Sequence, residues 1–156
     1  GSMVNEVIKA GKLLKNDWGI ESSIWSVTSY SELHKESEDV RRWNILHPKS
    51  EPRKSHLEKM IKPENGPVIA ISDYVKLVAE QISPYIKCPF VALGTDGFGR
   101  SDTRENLRDF FEVNKFYIIL HALDKLYVSG YISKNKVSEC IKKYNIDYNK
   151  PNPNKV

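Results

Sequence analysis

The run Gly94-Thr95-Asp96-Gly97-Phe98-Gly99-Arg100-Ser101-Asp102 sets permissive backbone beside a carboxylate, a hydroxyl and a guanidinium, between an apolar strand-like stretch and a helix start. At the carboxyl edge of a parallel sheet such a turn presents backbone N–H groups and the positive end of a helix, chemistry that suits a phosphate or carboxylate. The glycine spacing is not G-x-G-x-x-G and no G-K-[ST] follows, so a tight turn with no ligand is the competing reading. Arg100, Arg104 and Arg108 fall four residues apart on one helical face, interleaved with Asp102, Glu105 and Asp109. Solvated ion pairing is one account of them, and Arg100 with Arg104 holding a partner's carboxylate is the other. Asp96, Arg100, Ser101 and Arg104 are therefore the candidate positioning or interface residues.

No other constellation offers catalysis. His34, His47, His56 and His121 are scattered, and no nucleophile-base pair can be argued from their spacing. His121, with Asp124 three residues on, reads as a core or interface histidine oriented by that carboxylate. Cys88 and Cys140 have no ligand-spaced partners, which suggests neither a zinc site nor a disulfide framework and predicts reduced, buried thiols. The chain has 156 residues, 24 basic and 20 acidic, a net charge of +4, and no apolar run long enough to span a bilayer. Its basic residues are not interleaved with stacking aromatics, so neither a nucleic-acid surface nor a membrane passage is expected. A chain of this length buries roughly 70% of its unfolded surface and needs no staple to hold a core.

The elements that position these residues alternate. Val4, Val7, Ile8, Gly11 and Leu14 predict an amphipathic helix over about 4–16, and the β-branched and aromatic stretch 23–29 predicts a strand. Ser31 is expected to cap a charged helix over 32–46, and a short helical piece is expected at 55–61. Val68-Ile69-Ala70-Ile71 and Pro89-Phe90-Val91-Ala92-Leu93 read as buried strands. Asp73 is expected to cap a helix to about Ser83 that buries Val75, Leu77, Val78 and Ile82. A helix at 101–111 follows, then an apolar helix capped by Asn114 and stopped at Gly130, and a last one from Ser133 to about Tyr144. Residues 1–3 look like an expression scar, 4–148 form a single domain, and 149–156 form a polar tail. The expected architecture is α/β: three layers, α/β/α, around a mostly parallel sheet.

The block from Gly94 to Arg108, continued by Phe111-Glu112-Val113, closely resembles the C-terminal domain of the homodimeric, decarboxylating component of the pyruvate dehydrogenase complex. Ser26-Val27-Thr28-Ser29, Arg42-Trp43-Asn44, Leu46-His47-Pro48, Asp73-Tyr74, Ala79-Glu80-Gln81 and Asn145-Ile146-Asp147 agree in order. The turn Gly94-x-Asp96-x-Phe98-Gly99-x-Ser101 also resembles that of transketolases and places the fold with the transketolase C-terminal domains. The resemblance implies a cytoplasmic oxidoreductase, dependent on thiamine diphosphate and magnesium, that decarboxylates pyruvate on the route from glycolysis to acetyl-CoA. It further implies acetylation of the lipoyl group of dihydrolipoyl acetyltransferase. In that family the cofactor lies in other domains, so this segment is expected to hold no cofactor, no metal and no catalytic residue. Relatives usually carry a small residue where His121 stands, which argues against an inherited role for it. The family's domain also opens with an apolar strand upstream of the first helix. Its lack here is expected to leave sheet edges unpaired and to invite self-association.

Three readings follow. The first is a noncatalytic domain that supports the dimer and the active-site architecture of such an enzyme. The second is a docking module for the acetyltransferase, using the 32–42 helix or the Arg100 face. The third is an independent small enzyme binding a phosphorylated ligand at the glycine-rich turn.

Overall fold

The computed structural model describes residues 2–95 and 104–155. Helix α1 (Ser2–Trp18) is followed by an extended stretch, α2 (Tyr30–Leu46) and the short α3 (His56–Met60). Strand β1 (Val68–Ile71), α4 (Lys76–Glu80) and β2 (Phe90–Leu93) form a β-α-β unit, and α5 (Arg104–Phe110), α6 (Lys115–Val128) and α7 (Lys134–Lys143) complete the chain. β1 and β2 pair in parallel, with Ile69 opposite Val91, Ala70 opposite Ala92 and Ile71 opposite Leu93.

Side chains alternate across a pleated strand, so each strand sends its residues to two faces. Ile69, Ile71, Val91 and Leu93 join the main core with α1, α6 and α7, while Ala70, Ala92 and Phe90 meet Ala79 of α4 and Tyr30 of α2 on the other side. That division is the expected three-layer α/β/α arrangement, built among the described residues on two strands. The small face made by Ala70, Ala79 and Ala92 lets α4 approach the sheet closely.

Stretch 23–29 forms no strand. It runs extended and largely exposed, without the neighbouring backbone that a ladder requires, and it packs across α1 where Gly11 leaves room. A Cβ on Gly11 would lie 3.0 Å from Ile24 Cδ1. Tyr30 donates its hydroxyl to the Ile71 carbonyl at 3.0 Å, covering an acceptor on the edge of β1 turned away from β2.

Several caps differ from expectation. Ser29, not Ser31, caps α2 by accepting from the Glu32 N–H at 3.1 Å. Asp73 caps nothing: α4 begins at Lys76 after Val75, because the Ser72 hydroxyl turns the chain by accepting from the Tyr74 N–H at 3.0 Å. The shortened α4 buries Ala79 and leaves Leu77 exposed, while Val75 just before it is exposed and Ile82 just after it is buried. At α3 a capping box between Ser55 and Glu58 secures the expected helical piece. α6 ends as expected, with Gly130 left-handed at φ 84° and Tyr131 N–H returning to Leu126 O. α6 is sandwiched between α1 and α7 and buries Tyr117, Ile118, Ile119, Ala122 and Leu123.

α1 starts at Ser2, and Met3 is in the core. Its buried stripe is Met3, Glu6, Ala10 and Leu14, shifted from the expected one so that Ile8 is exposed. Glu6 is thus a carboxylate on the apolar face. It accepts from the Lys115 backbone N–H at 2.8 Å and from Arg108 Nη1 at 3.3 Å. Asn114 accepts from the N–H groups of Phe116 and Tyr117, so the free donors opening α6 are shared between two side chains. The tail is anchored as well: Lys150 Nζ donates to the carbonyls of Asp109 and Phe110, the last turn of α5, and lies 3.9 Å from the Glu112 carboxylate.

Removing one member of a buried ion pair strands the other, so Glu6→Ala is expected to cost about 3 kcal/mol or more. Glu6→Gln, whose amide oxygen still accepts from Lys115 N–H, is expected to cost less. Urea unfolding at neutral pH followed by circular dichroism measures both, and equal costs would reject a role for the Lys115 bond.

Candidate functional site

Ligands of open α/β sheets gather beyond the carboxyl ends of the strands. Here β1 leaves through Ser72-Asp73-Tyr74-Val75 and β2 through Gly94-Thr95, and the two exits are joined by hydrogen bonds. Ser72 N–H donates to Leu93 O at 2.9 Å, Thr95 N–H to Tyr74 O at 2.8 Å, and the Thr95 hydroxyl to Asp73 O at 2.7 Å. Gly94 sits where a side chain would collide with backbone: a Cβ there would be 2.5 Å from Tyr74 O and 2.6 Å from Lys76 N. The glycine is required by close approach, which favours the tight-turn reading at this position. Tyr74, Val75 and Leu77 are exposed beside this edge.

Asp96, Arg100 and Ser101 lie outside the described residues. Arg104 is the first residue of α5, and its side chain also lies outside them. Arg108 is described, and it differs from the expectation of solvated pairing with acidic neighbours on its own helix. Its side chain is 17% exposed and reaches the buried Glu6 of α1. Charge spacing along a helix identifies nearby partners, whereas this one lies 102 positions away in the chain. Glu6 carried one unread signal, a charged residue in line with Met3, Ala10 and Leu14. Lys150, in a proline-broken tail, carried none.

The histidines do not converge. His34 Nδ1 contacts Gln81 O at 3.1 Å, and His47 Nδ1 contacts Trp43 O at 2.8 Å. His56 is held by its backbone N–H on the Glu36 carboxylate. His121 is half-buried, and among the described residues Asp124 makes no hydrogen bond to its ring, so orientation by that carboxylate is not what places it. Burial pushes its pKa below the usual 6.5; Asp124 opposes the shift, while Lys76 and Lys125 add to it. Burial holds the Cys140 thiol up to about 12, the inert form expected of a core cysteine, while Cys88 is only partly buried. Tyr144 donates to Asp17 Oδ2 at 2.7 Å, accepts from Trp18 Nε1 at 3.0 Å and stacks on Phe116, an arrangement that joins α1, α6 and α7. Its pKa is about 12, raised first by burial and then by the Asp17 bond.

Among the described residues no three His, Cys, Asp or Glu side chains are grouped to hold a metal ion, and no helix is long and apolar enough to cross a membrane. Those residues do not fit a magnesium diphosphate site.

The family model of the transketolase-like C-terminal domain matches residues 1–114. A pyruvate dehydrogenase E1 component from Cupriavidus necator is 54% identical over all of this chain. Those from Pseudomonas aeruginosa and Escherichia coli are 47% and 44% identical over 98% of it. The chain covers 17%, 18% and 17% of these three proteins, so it spans about a sixth of the relatives it matches.

Gly94→Ala is expected to destabilise the chain by about 1–3 kcal/mol, as overpacking against backbone does. Chemical denaturation measures it, and an unchanged midpoint would mean the two exits part freely. Because the folded pKa of His121 lies below its unfolded value, the unfolded chain takes up more protons as pH falls through 6.5, and stability drops. His121→Gln is expected to flatten the fall in melting temperature from above 6.5 to below it; parallel pH profiles would reject the assignment.

Proposed function

Because the chain belongs to the transketolase-like C-terminal domain family, we propose that it is the C-terminal part of a pyruvate dehydrogenase of the E1 type, with a bracing rather than a chemical role. The parent enzyme would be a cytoplasmic homodimer that decarboxylates pyruvate with thiamine diphosphate and magnesium and passes the acetyl group to the lipoyl arm of dihydrolipoyl acetyltransferase. The observation that carries this reading is the 54% identity to the Cupriavidus necator protein across the full length of the chain.

The described residues suit a bracing role. The sheet is covered on both faces by helices, the two strand exits are joined at Gly94, and Tyr74, Val75 and Leu77 stand exposed beside them. An apolar rim at the carboxyl edge of a sheet is suited to packing against another domain. Asp96, Arg100, Ser101 and Arg104 follow directly from that edge in the chain and are proposed as its positioning or interface groups. Docking of the acetyltransferase through the Arg100 face is the second reading, favoured by the guanidinium spacing of Arg100 and Arg104.

Two experiments separate the readings. Grafting this chain in place of the matching segment of the Cupriavidus necator enzyme is expected to preserve dimerisation and pyruvate decarboxylation, and deleting the segment to lose both. A deletion that stays dimeric and fully active would reject the bracing role. Calorimetric titration of the chain with dihydrolipoyl acetyltransferase is expected to give no heat at low or moderate salt. Saturable, salt-sensitive binding that disappears in Arg100→Ala with Arg104→Ala would establish docking instead.

A further inference from the structure

The C-terminal end of α2 and the loop that follows it carry a second feature, remote in sequence from the glycine-rich turn. The imidazole of His47 stacks on the indole of Trp43, with centroids 4.2 Å apart and planes 13° from parallel. The guanidinium carbon of Arg53 lies 3.7 Å over the same indole. The backbone of Arg53 is also fixed: Asn44 Nδ2 donates to Arg53 O at 2.9 Å, and Arg53 N–H donates to Asn44 Oδ1 at 2.8 Å. This reciprocal amide pair reproduces the hydrogen bonding of two strand residues across a loop containing Pro48 and Pro52. An exposed arginine is thereby held in one place at its backbone and at its head group.

Stacking engages the face of a guanidinium and leaves its edge donors free, which is the geometry for accepting a planar carboxylate. Among the described residues Arg42, Lys49, Arg53 and Lys54 form no ion pair, and the segment 42–54 sets these four cations against the single carboxylate of Glu51. Ile45 and Leu46 lie three and four residues after Arg42, on the same side of α2. They are 69% and 55% exposed and adjacent, so the end of α2 presents two aliphatic side chains together. The end of α2 and its loop therefore carry, within thirteen residues, a preorganised fork donor, three further cations and two exposed aliphatic side chains.

We propose that this surface, made by Arg42, Ile45, Leu46, Lys49, Arg53 and Lys54, docks an acidic peptide segment that carries an aliphatic anchor. Charge complementarity selects the acidic partner, and the exposed Ile45 and Leu46 select a peptide over a nucleic acid. The aromatic ring that a base would stack on is already engaged by His47 and Arg53. The proposal stands apart from the bracing role, since the surface lies on α2 and its loop rather than at the carboxyl edge of the sheet.

The test uses the chain itself and a fluorescein-labelled peptide of alternating Asp-Glu and Leu-Leu pairs, followed by anisotropy at low and moderate salt. Saturable binding that weakens with salt is expected. Arg53→Lys keeps the charge but loses the fork and the stack, and about a ten-fold weakening is expected, in line with the greater strength of bidentate carboxylate contacts. Ile45→Ser with Leu46→Ser is expected to weaken binding at both salt concentrations, as loss of the anchor requires. Lys142→Glu with Lys143→Glu on α7 serves as the distant charge control and is expected to leave affinity unchanged. No saturable binding, an equal effect of the α7 control, or full competition by a single-stranded oligonucleotide would each overturn the proposal. Circular dichroism of every variant separates loss of binding from loss of fold.

Discussion

The fold turns on a carboxylate where an apolar side chain would be expected. Glu6 lies on the buried stripe of α1 and meets the first N–H of α6 and the Arg108 guanidinium of α5, so one side chain sets the relative placement of three helices. Burying a charge is costly unless it is paired and hydrogen-bonded, and both conditions are met here. The positive end of α6 supplies part of the compensation without any side chain of its own. A leucine at this position could pack, but it would not specify where α6 begins.

Around that fixed point the layers follow from size. The two parallel strands place isoleucine, valine and leucine toward the thick helical layer of α1, α6 and α7, and alanine toward the thin layer of α4. Large against large fills the main core, and small against small brings a short helix close to the sheet. The joined exits at Ser72, Gly94 and Thr95 then follow, because strands held this tightly leave the sheet side by side.

What could be read from sequence was what is local. The continuous apolar runs at Val68 and Phe90 gave both strands, Asn114 and Gly130 gave the limits of α6, and the block from Gly94 to Arg108 pointed to the family. What could not be read depends on distant partners. The stretch containing Trp25 has the composition of a strand, but a strand exists only where another backbone meets it. The starts of α2 after Ser29 and of α4 after Val75 depended on where the chain turned, and Ser31 and Asp73 were chemically suitable caps. Glu6 and Arg108 act across 102 residues, and Lys150 acts across 41 and 40 residues to the end of α5, separations that periodicity does not register.

Lys150 gives the end of the chain a mechanical meaning. Its ammonium sits on the last carbonyls of α5, where the helix is most negative, and passes over the rings of Phe110 and Tyr117. The tail is in effect a clasp closed over the junction between α5 and α6. A protease that trimmed it would leave α7 untouched yet release the carboxyl end of the helix that carries Arg108, and through Arg108 would loosen the grip on Glu6. The end of the chain is therefore held against the same helix that carries Arg108.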